Sequence, residues 1–308
     1  MSSMRIAVTG GAGFIGSHLT DAFVSEGHEV LVIDDLSSGR KEYVNKKARF
    51  VKKDIRSDLS GDLAGVETVF HLAADPDVRS SATNPQKSFD INVLGTFALL
   101  ESCRKAGVKR VVFTSTSTVY GETDIIPTPE SHPCNPISNY GASKLACEAY
   151  LASYAGTYGI KGTSLRLANI FGERSTHGVM FDFFNKLKKD PKKLEILGDG
   201  RQDKSYLHVS DCVSAVLIAW KKQKADYDVY NVGSKEKKTV DELARLMCKE
   251  MKLNPKFGHT GTQRGWVGDV KLMLLDTKKL EECGWKARVG FEEGAKRYLG
   301  WITSQSNP

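Results

Sequence analysis

The sequence predicts an α/β fold: a Rossmann-like, doubly wound parallel sheet followed by a smaller mixed α/β lobe. Two observations carry that expectation. Short apolar runs alternate with helical stretches through the first half of the 308-residue chain, as right-handed strand–helix crossovers require. The first run also leads directly into the glycine-rich turn Gly10-Gly11-Ala12-Gly13-Phe14-Ile15-Gly16, after which a helical pattern begins.

The apolar runs at residues 6–9, 30–34, 68–73, 110–115 and 162–167 read as buried parallel strands, and residues 50–54 fit a further one. Helical patterns cover residues 14–26, 85–106 and 140–158. Past Asn169 the pattern loosens into helices at 180–189, 211–221 and 240–251 and a short strand at 194–197. The expected division is therefore a dinucleotide-binding unit over residues 1–170 and a smaller substrate lobe over 171–308. Segments around 204–233 are expected to return to the first unit. No internal repeat is present, and the tail 304–308 is expected to fray.

Composition narrows the function classes. The hydrophobic fraction is 40% and the net charge +7, with lysines scattered in short groups and no basic stripe interleaved with aromatics. That pattern argues against nucleic acid and fits a mildly positive cleft for an anionic substrate. The six cysteines form no C-x-x-C and no cluster with histidine, which points to reduced thiols and away from a metal. MSSMRIAVTGG runs straight into a strand and no apolar run approaches membrane-spanning length, so a cytoplasmic, soluble protein is expected.

In the glycine turn, glycine permits the tight bend, lets backbone approach a pyrophosphate and brings helix close to strand. The helix N-terminus then offers unpaired N–H groups and partial positive charge to phosphates. Asp34 ends the next strand at about the 20-residue offset at which an acid binds a ribose 2′-hydroxyl and repels a 2′-phosphate. Leu72-Ala73-Ala74 ends another strand with small residues that would let a dinucleotide lie flat. Asp54-Ile55 closes the 50–54 run, where it could meet the adenine. Asn92, inside a helical pattern, either bonds across the site or caps a kink.

Tyr140 and Lys144 are four residues apart and share one helix face. An ammonium beside the phenol would lower its pKa, each unit being about 1.4 kcal/mol, and so provide a proton acceptor for a hydroxyl. A second such pair, Tyr43 and Lys47, reads as surface. Thr114-Ser115-Thr116-Ser117-Thr118 brings hydroxyls to a strand end at the same sheet edge. His71, His208 and Cys147 read as structural.

Taken together, TGGAGFIGSH, Asp34 with LSSG, HLAA, STSTVYG, Tyr140-Gly-Ala-Ser-Lys144 and LRLANIFG resemble the extended short-chain dehydrogenase/reductase superfamily. Within it the chain is most similar to UDP-glucose 4-epimerases of the archaeal and bacterial type. The resemblance implies Tyr140 as catalytic base, Lys144 on the nicotinamide ribose and lowering the tyrosine pKa, and Thr116 as the catalytic Ser/Thr. It implies NAD contacts from Gly10, Gly13, Phe14, Ile15, Gly16, Asp34, Asp35, Leu36, Ser37, Ser38, Gly39, Asp54, Ile55, Leu72, Ala73, Ala74 and Asn92. It places Asn169 on the nucleotide-sugar diphosphate.

Two departures from the family stand out. Lys204 occupies the place of a diphosphate-binding arginine and supplies a point charge without a bidentate fork. The family's Arg-x-Gly-Asp becomes Arg264-Gly265-Trp266-Val267-Gly268-Asp269, with the arginine displaced by two residues. Met273 falls at the position that gates C2 acetamido sugars.

The activity implied is interconversion of UDP-glucose and UDP-galactose, with their N-acetyl forms also in range, through a 4-keto sugar and bound NAD. UDP-glucuronate and UDP-xylose epimerases remain alternatives, as does a non-catalytic NAD-binding regulator. A 4,6-dehydratase needs an acid pair after the catalytic threonine, where this chain has Ser117 and Thr118. The family also implies a homodimer through the 85–106 and 140–158 helices.

Overall fold

The computed structural model describes residues 3–261, 270 and 272–305. The first part of the chain runs β1 (Arg5–Thr9), α1 (Phe14–Ser25), β2 (Glu29–Asp34), β3 (Arg49–Lys52), β4 (Thr68–His71), α2 (Val78–Thr83), α3 (Pro85–Ser88), α4 (Gly95–Ala106), β5 (Arg110–Thr116), α5 (Asn139–Tyr158) and β6 (Lys161–Leu167). It continues through β7 (Asn169–Phe171), α6 (Val179–Lys189), β8 (Lys193–Ile196), β9 (Asp203–His208), α7 (Val209–Lys222), β10 (Tyr227–Val232), β11 (Lys237–Thr239), α8 (Val240–Glu250), β12 (Lys256–His259), β13 (Leu272–Met273), α9 (Lys278–Glu282) and α10 (Phe291–Gln305).

Seven parallel strands form the main sheet in the order β10-β6-β5-β4-β1-β2-β3. The order reverses between β1 and β4, so the connections from their carboxyl ends leave on opposite faces and open a crevice between Thr9 and His71. Side chains alternate across the sheet. Ile6, Val8 and Val32 pack with Leu19, Phe23 and Trp220 on one face. Ala7, Leu31 and Ile33 pack with Leu99 and Leu151 on the other. A second core joins Phe183, Leu243 and Tyr298 from α6, α8 and α10. Among the described residues, no helix is long and apolar enough to cross a membrane.

Several local expectations are corrected. The strand expected over 68–73 stops at His71, and the one over 50–54 stops at Lys52. Leu72-Ala73-Ala74 and Asp54-Ile55 therefore lie in the loops that follow, although the Leu72 N–H still donates to the Thr9 carbonyl of β1 at 3.1 Å. The helix expected over 85–106 is interrupted by a π-wound segment, Phe89–Leu94. Within that widened turn the Asn92 carbonyl accepts from the Cys147 thiol at 3.2 Å. The tail stays helical through Gln305 rather than fraying from 304, with Ile302 buried against the second core.

Candidate active site

The glycine turn is built by close approach. Gly10 has φ +69°, and a Cβ on it would lie 2.7 Å from the Ala73 nitrogen across the crevice. A Cβ on Gly16 would stand 2.2 Å from the Gly10 carbonyl, so the helix meets the turn too closely for any side chain. Gly13 begins α1 with no capping side chain and no acid in the first turn. The first N–H groups and the positive end of the helix dipole therefore face the crevice. Ile15 packs down on the core, while Phe14 stands edge-on to the rings of His18 and His177, at 6.2 and 6.1 Å between centroids.

Asp34 is nearly buried at the end of β2. Its Oδ2 accepts the Ala12 N–H at 3.0 Å and its Oδ1 the Leu36 N–H at 2.8 Å. Burial pushes the carboxyl up, and these two bonds oppose that rise. The 35–39 loop wraps this carboxylate. Leu36 turns through φ +62°, Asp35 accepts Ser37 N–H and Oγ–H, Ser38 is exposed, and a Cβ on Gly39 would collide with Asp34 at 2.7 Å.

Elsewhere in the crevice, Leu72, Ala73 and Ala74 are partly exposed, with Ala73 N–H directed at Thr9 Oγ1 at 3.4 Å. Asp54 is engaged by the Arg56 guanidinium, which holds its carboxyl low. An adenine contact from Asp54 would have to share that carboxylate with Arg56. Ile55 is buried against Gly95. Asn92 does bond across the site: its Oδ1 accepts the Asp75 N–H at 2.8 Å, and its Nδ2 donates to Ser143 Oγ at 2.9 Å. Ser143 in turn donates to the Tyr140 carbonyl.

Ser138 caps α5 by accepting the Gly141 N–H at 3.1 Å, which starts the helix just ahead of Tyr140. Thr116 ends β5, accepts the Thr118 N–H at 3.2 Å, and acts on the Tyr140 phenol in the direction that favours phenolate. Lys144 is 3% exposed and donates to the Thr114 carbonyl at 2.9 Å.

This geometry corrects the expected electrostatics. Burial raises the Tyr140 pKa, and Thr116, not the Lys144 ammonium, is what opposes the rise. Burial also brings Lys144 down to about 8, because its charge has left water for a carbonyl contact. The second Tyr/Lys pair is corrected too. Lys47 is exposed, but Tyr43 is half-buried, with the guanidinium groups of Arg40 and Arg174 each 5.8 Å from its ring.

His71 bridges Thr9 Oγ1 and Thr96 Oγ1 at 2.8 and 2.9 Å, and burial brings it down to about 3, so it stays neutral under the site. His208 pairs with Glu173 at 3.2 Å.

One small sheet gathers the expected substrate contacts. β9 pairs with β7, setting Asn169 opposite Tyr206, and with β13, setting Met273 opposite Lys204. The Asn169 amide donates to the Ser205 carbonyl at 3.0 Å. Lys204 is partly exposed, whereas Met273 is 3% exposed among Val119, Tyr120 and Leu275. Arg264 and Asp269 lie outside the described residues.

A family model described as the NAD dependent epimerase/dehydratase family matches residues 6–233. The chain belongs to that family. The match spans the glycine turn, Thr116, Tyr140, Lys144, Asn169 and Lys204. The chain is 38% identical to a putative UDP-glucose 4-epimerase of Methanocaldococcus jannaschii, over 98% of this chain and 99% of that one. A solved UDP-galactose 4-epimerase is 43% identical with TM-score 0.90, covering 98% of this chain and 99% of its own. The UDP-glucose 4-epimerase of Thermotoga maritima, solved with UDP-glucose, is 36% identical with TM-score 0.92, covering 99% of this chain and all of its own (100%).

The residues present fit the family's cofactor, NAD. The uncapped start of α1 suits its diphosphate, and the cradle at Gly10 and Gly16 has no room for a Cβ. Sequence reasoning missed the supports: Ser143 beneath Tyr140, the Thr114 carbonyl under Lys144, and the buried pair Glu148 and Arg166. Only Glu148 had a visible signal, four residues past Lys144 on the same helix face.

Proposed function

We propose that this protein is a UDP-hexose 4-epimerase that interconverts UDP-glucose and UDP-galactose. The observation that carries the reading is Thr116 acting on the Tyr140 phenol, with Lys144 one turn along the same helix and the uncapped α1 terminus across the crevice. NAD, when bound, supplies a hydride acceptor that returns what it takes. Tyr140 removes the proton of the C4 hydroxyl and later restores it to the 4-keto sugar, and Thr116 steadies that proton on the phenol. Lys144 holds positive charge beneath the site, and Asn169 and Lys204 anchor the diphosphate while the sugar turns. In this reading residues 1–170 hold the dinucleotide and the later part of the chain holds the sugar nucleotide.

Ser117 and Thr118 follow Thr116 with hydroxyls alone, so water elimination has no acid at that point. UDP-N-acetylglucosamine is a second substrate on this reading, because Met273 is a flexible thioether that can repack around a C2 acetamido group.

The test is to incubate the purified protein, without added cofactor, with UDP-glucose, UDP-N-acetylglucosamine and UDP-glucuronate separately. The anomeric protons are followed by NMR. The galacto epimer of UDP-glucose is the expected product. No conversion of either hexose, even with NAD supplied, would sink the reading, and conversion of UDP-glucuronate alone would reassign the substrate.

We also propose a homodimer. Phe89, Leu94, Phe97, Tyr150 and Tyr158 expose large apolar side chains on the Phe89–Leu94 turn, α4 and α5, each at least 42% exposed, and the Phe97 and Tyr150 rings are 5.6 Å apart. A second copy of the same face would cover them. The free cysteines suit a reducing cytoplasm.

A further inference from the structure

Beneath the catalytic groups lies an ion pair that the proposed reaction does not use. Glu148 stands one turn beyond Lys144 on α5 and is 3% exposed, and Arg166 on β6 is 6% exposed. Glu148 Oε1 accepts Ser115 Oγ–H at 2.5 Å and Arg166 Nε–H at 3.1 Å, and its Oε2 accepts from the Arg166 terminal nitrogen at 2.7 Å. The other arm of Arg166 donates to the Tyr120 hydroxyl at 2.9 Å and the Glu130 carbonyl at 3.2 Å. The Tyr120 hydroxyl donates in turn to Asn231 Oδ1 at 2.8 Å. Asn231 Nδ2 then donates to the carbonyls of Thr128 and Asp276 at 2.9 and 3.0 Å.

Stability alone is a poor reason for such a pair, because desolvating two charges offsets most of their attraction. The distribution of its bonds gives a better one. Through Ser115 the carboxylate grips the residue next to Thr116, while its own helix carries Tyr140 and Lys144. Through Tyr120 the guanidinium grips the far end of the short turn that begins after Thr116. Every donor and acceptor is directional, so the pair fixes register where an apolar contact would permit sliding.

We infer that Glu148 and Arg166 are positioning residues: through Ser115 and Tyr120 they set the register between the strand end that carries Thr116 and the helix that carries Tyr140. This rests on the epimerase reading only in giving those two residues the proton transfer. Ser115 is the place to test it, since losing its hydroxyl leaves the ion pair intact.

In the NAD-bound enzyme, Ser115→Ala is expected to lower kcat for UDP-glucose about tenfold with KM and NAD content unchanged. In a Thr116→Ala background the same change is expected to alter kcat less than about twofold, since its route runs through Thr116. Ser115→Thr, which restores the hydroxyl, is expected to recover most of the rate. Equal losses in both backgrounds, or a loss confined to KM, would overturn the inference.

A wild type that converts no UDP-hexose would instead refute the epimerase reading. The inference would then be decided at neutral pH by the NMR shift of the Tyr140 ring carbon that bears the hydroxyl, assigned by its loss in Tyr140→Phe. Ser115→Ala should move that shift by displacing Thr116 relative to the phenol. It leaves in place the other groups acting on the phenol, Asp75 with its partner Lys87, and Cys147. An unmoved shift would refute it.

Discussion

The carboxylate of Asp34 takes the backbone N–H of Ala12 at 3.0 Å, so the acid at the end of the second strand is fastened to the glycine turn itself. One side chain thereby braces the glycine turn and, in the proposed NAD site, presents negative charge where the ribose would lie. Asp34→Asn should lower NAD affinity about tenfold, because a carboxamide accepts through one atom only and cannot hold both backbone N–H groups. It should also narrow the gap between NAD and NADP by removing the charge that opposes a 2′-phosphate. Dissociation constants for both dinucleotides check this, and an unchanged ratio would count against the role.

Tyr140→Phe should reduce turnover by about a thousandfold while NAD remains bound, since the proposed reaction uses the phenol oxygen as the proton acceptor. Thr116→Ala should cost about ten- to a hundredfold, and the two changes together little more than Tyr140→Phe alone. Single-turnover kinetics with NAD content measured in parallel distinguishes this from loss of cofactor.

Lys144 titrates at about 8 in the folded chain against 10.5 when free, because burial disfavours its charge. Turnover should therefore decline as pH rises through about 8, when the positive charge beneath Tyr140 is lost. Stability moves the other way. Below pH 8 the fold carries the full penalty of a buried charge, and that penalty disappears as pH rises toward 10.5. Wild type should thus gain on Lys144→Met across this interval by up to ~1.4 kcal/mol per pH unit in denaturant titrations.

His71 falls to about 3 from 6.5, again through burial. Below pH 6.5 the unfolded chain takes up a proton that the folded chain refuses, so stability drops by up to ~1.4 kcal/mol per pH unit on this account. His71→Gln should flatten that acid limb between pH 6 and 4 (roughly the middle of the window) while lowering stability at pH 7. Equilibrium unfolding across the pH series measures it.

Replacing Phe97 and Tyr150 together by lysine should turn a dimer into a monomer, because the two rings touch at the centre of the exposed apolar face. Sedimentation velocity reads the outcome. Unchanged association would place the interface elsewhere.

The sequence made the main sheet and the glycine turn legible because both are local: an apolar run and a glycine pattern need no partner to be recognised. Thr116, Tyr140 and Lys144 stood out for the same reason, and Thr116 acts on the Tyr140 phenol. The direction of Lys144 could not be read, since it depends on a carbonyl thirty residues away, at Thr114. The π-wound turn at Asn92 escaped because the thiol that bonds its carbonyl, that of Cys147, sits on another helix. Tyr43 looked like surface for want of Arg174, which arrives from far along the chain to face its ring.

The path of the backbone between the two sheets has a practical meaning. The chain leaves the main sheet after β6 for β7, comes back from β9 into α7 and β10, and departs again at β11. No single cut divides this molecule into working halves. A fragment ending at residue 170 would lack Trp220, whose ring sits against Phe23 and Phe70, and would leave β6 as a bare edge ready to pair with another chain. Anyone seeking to graft the dinucleotide site onto another scaffold must therefore carry α7 and β10 along with it.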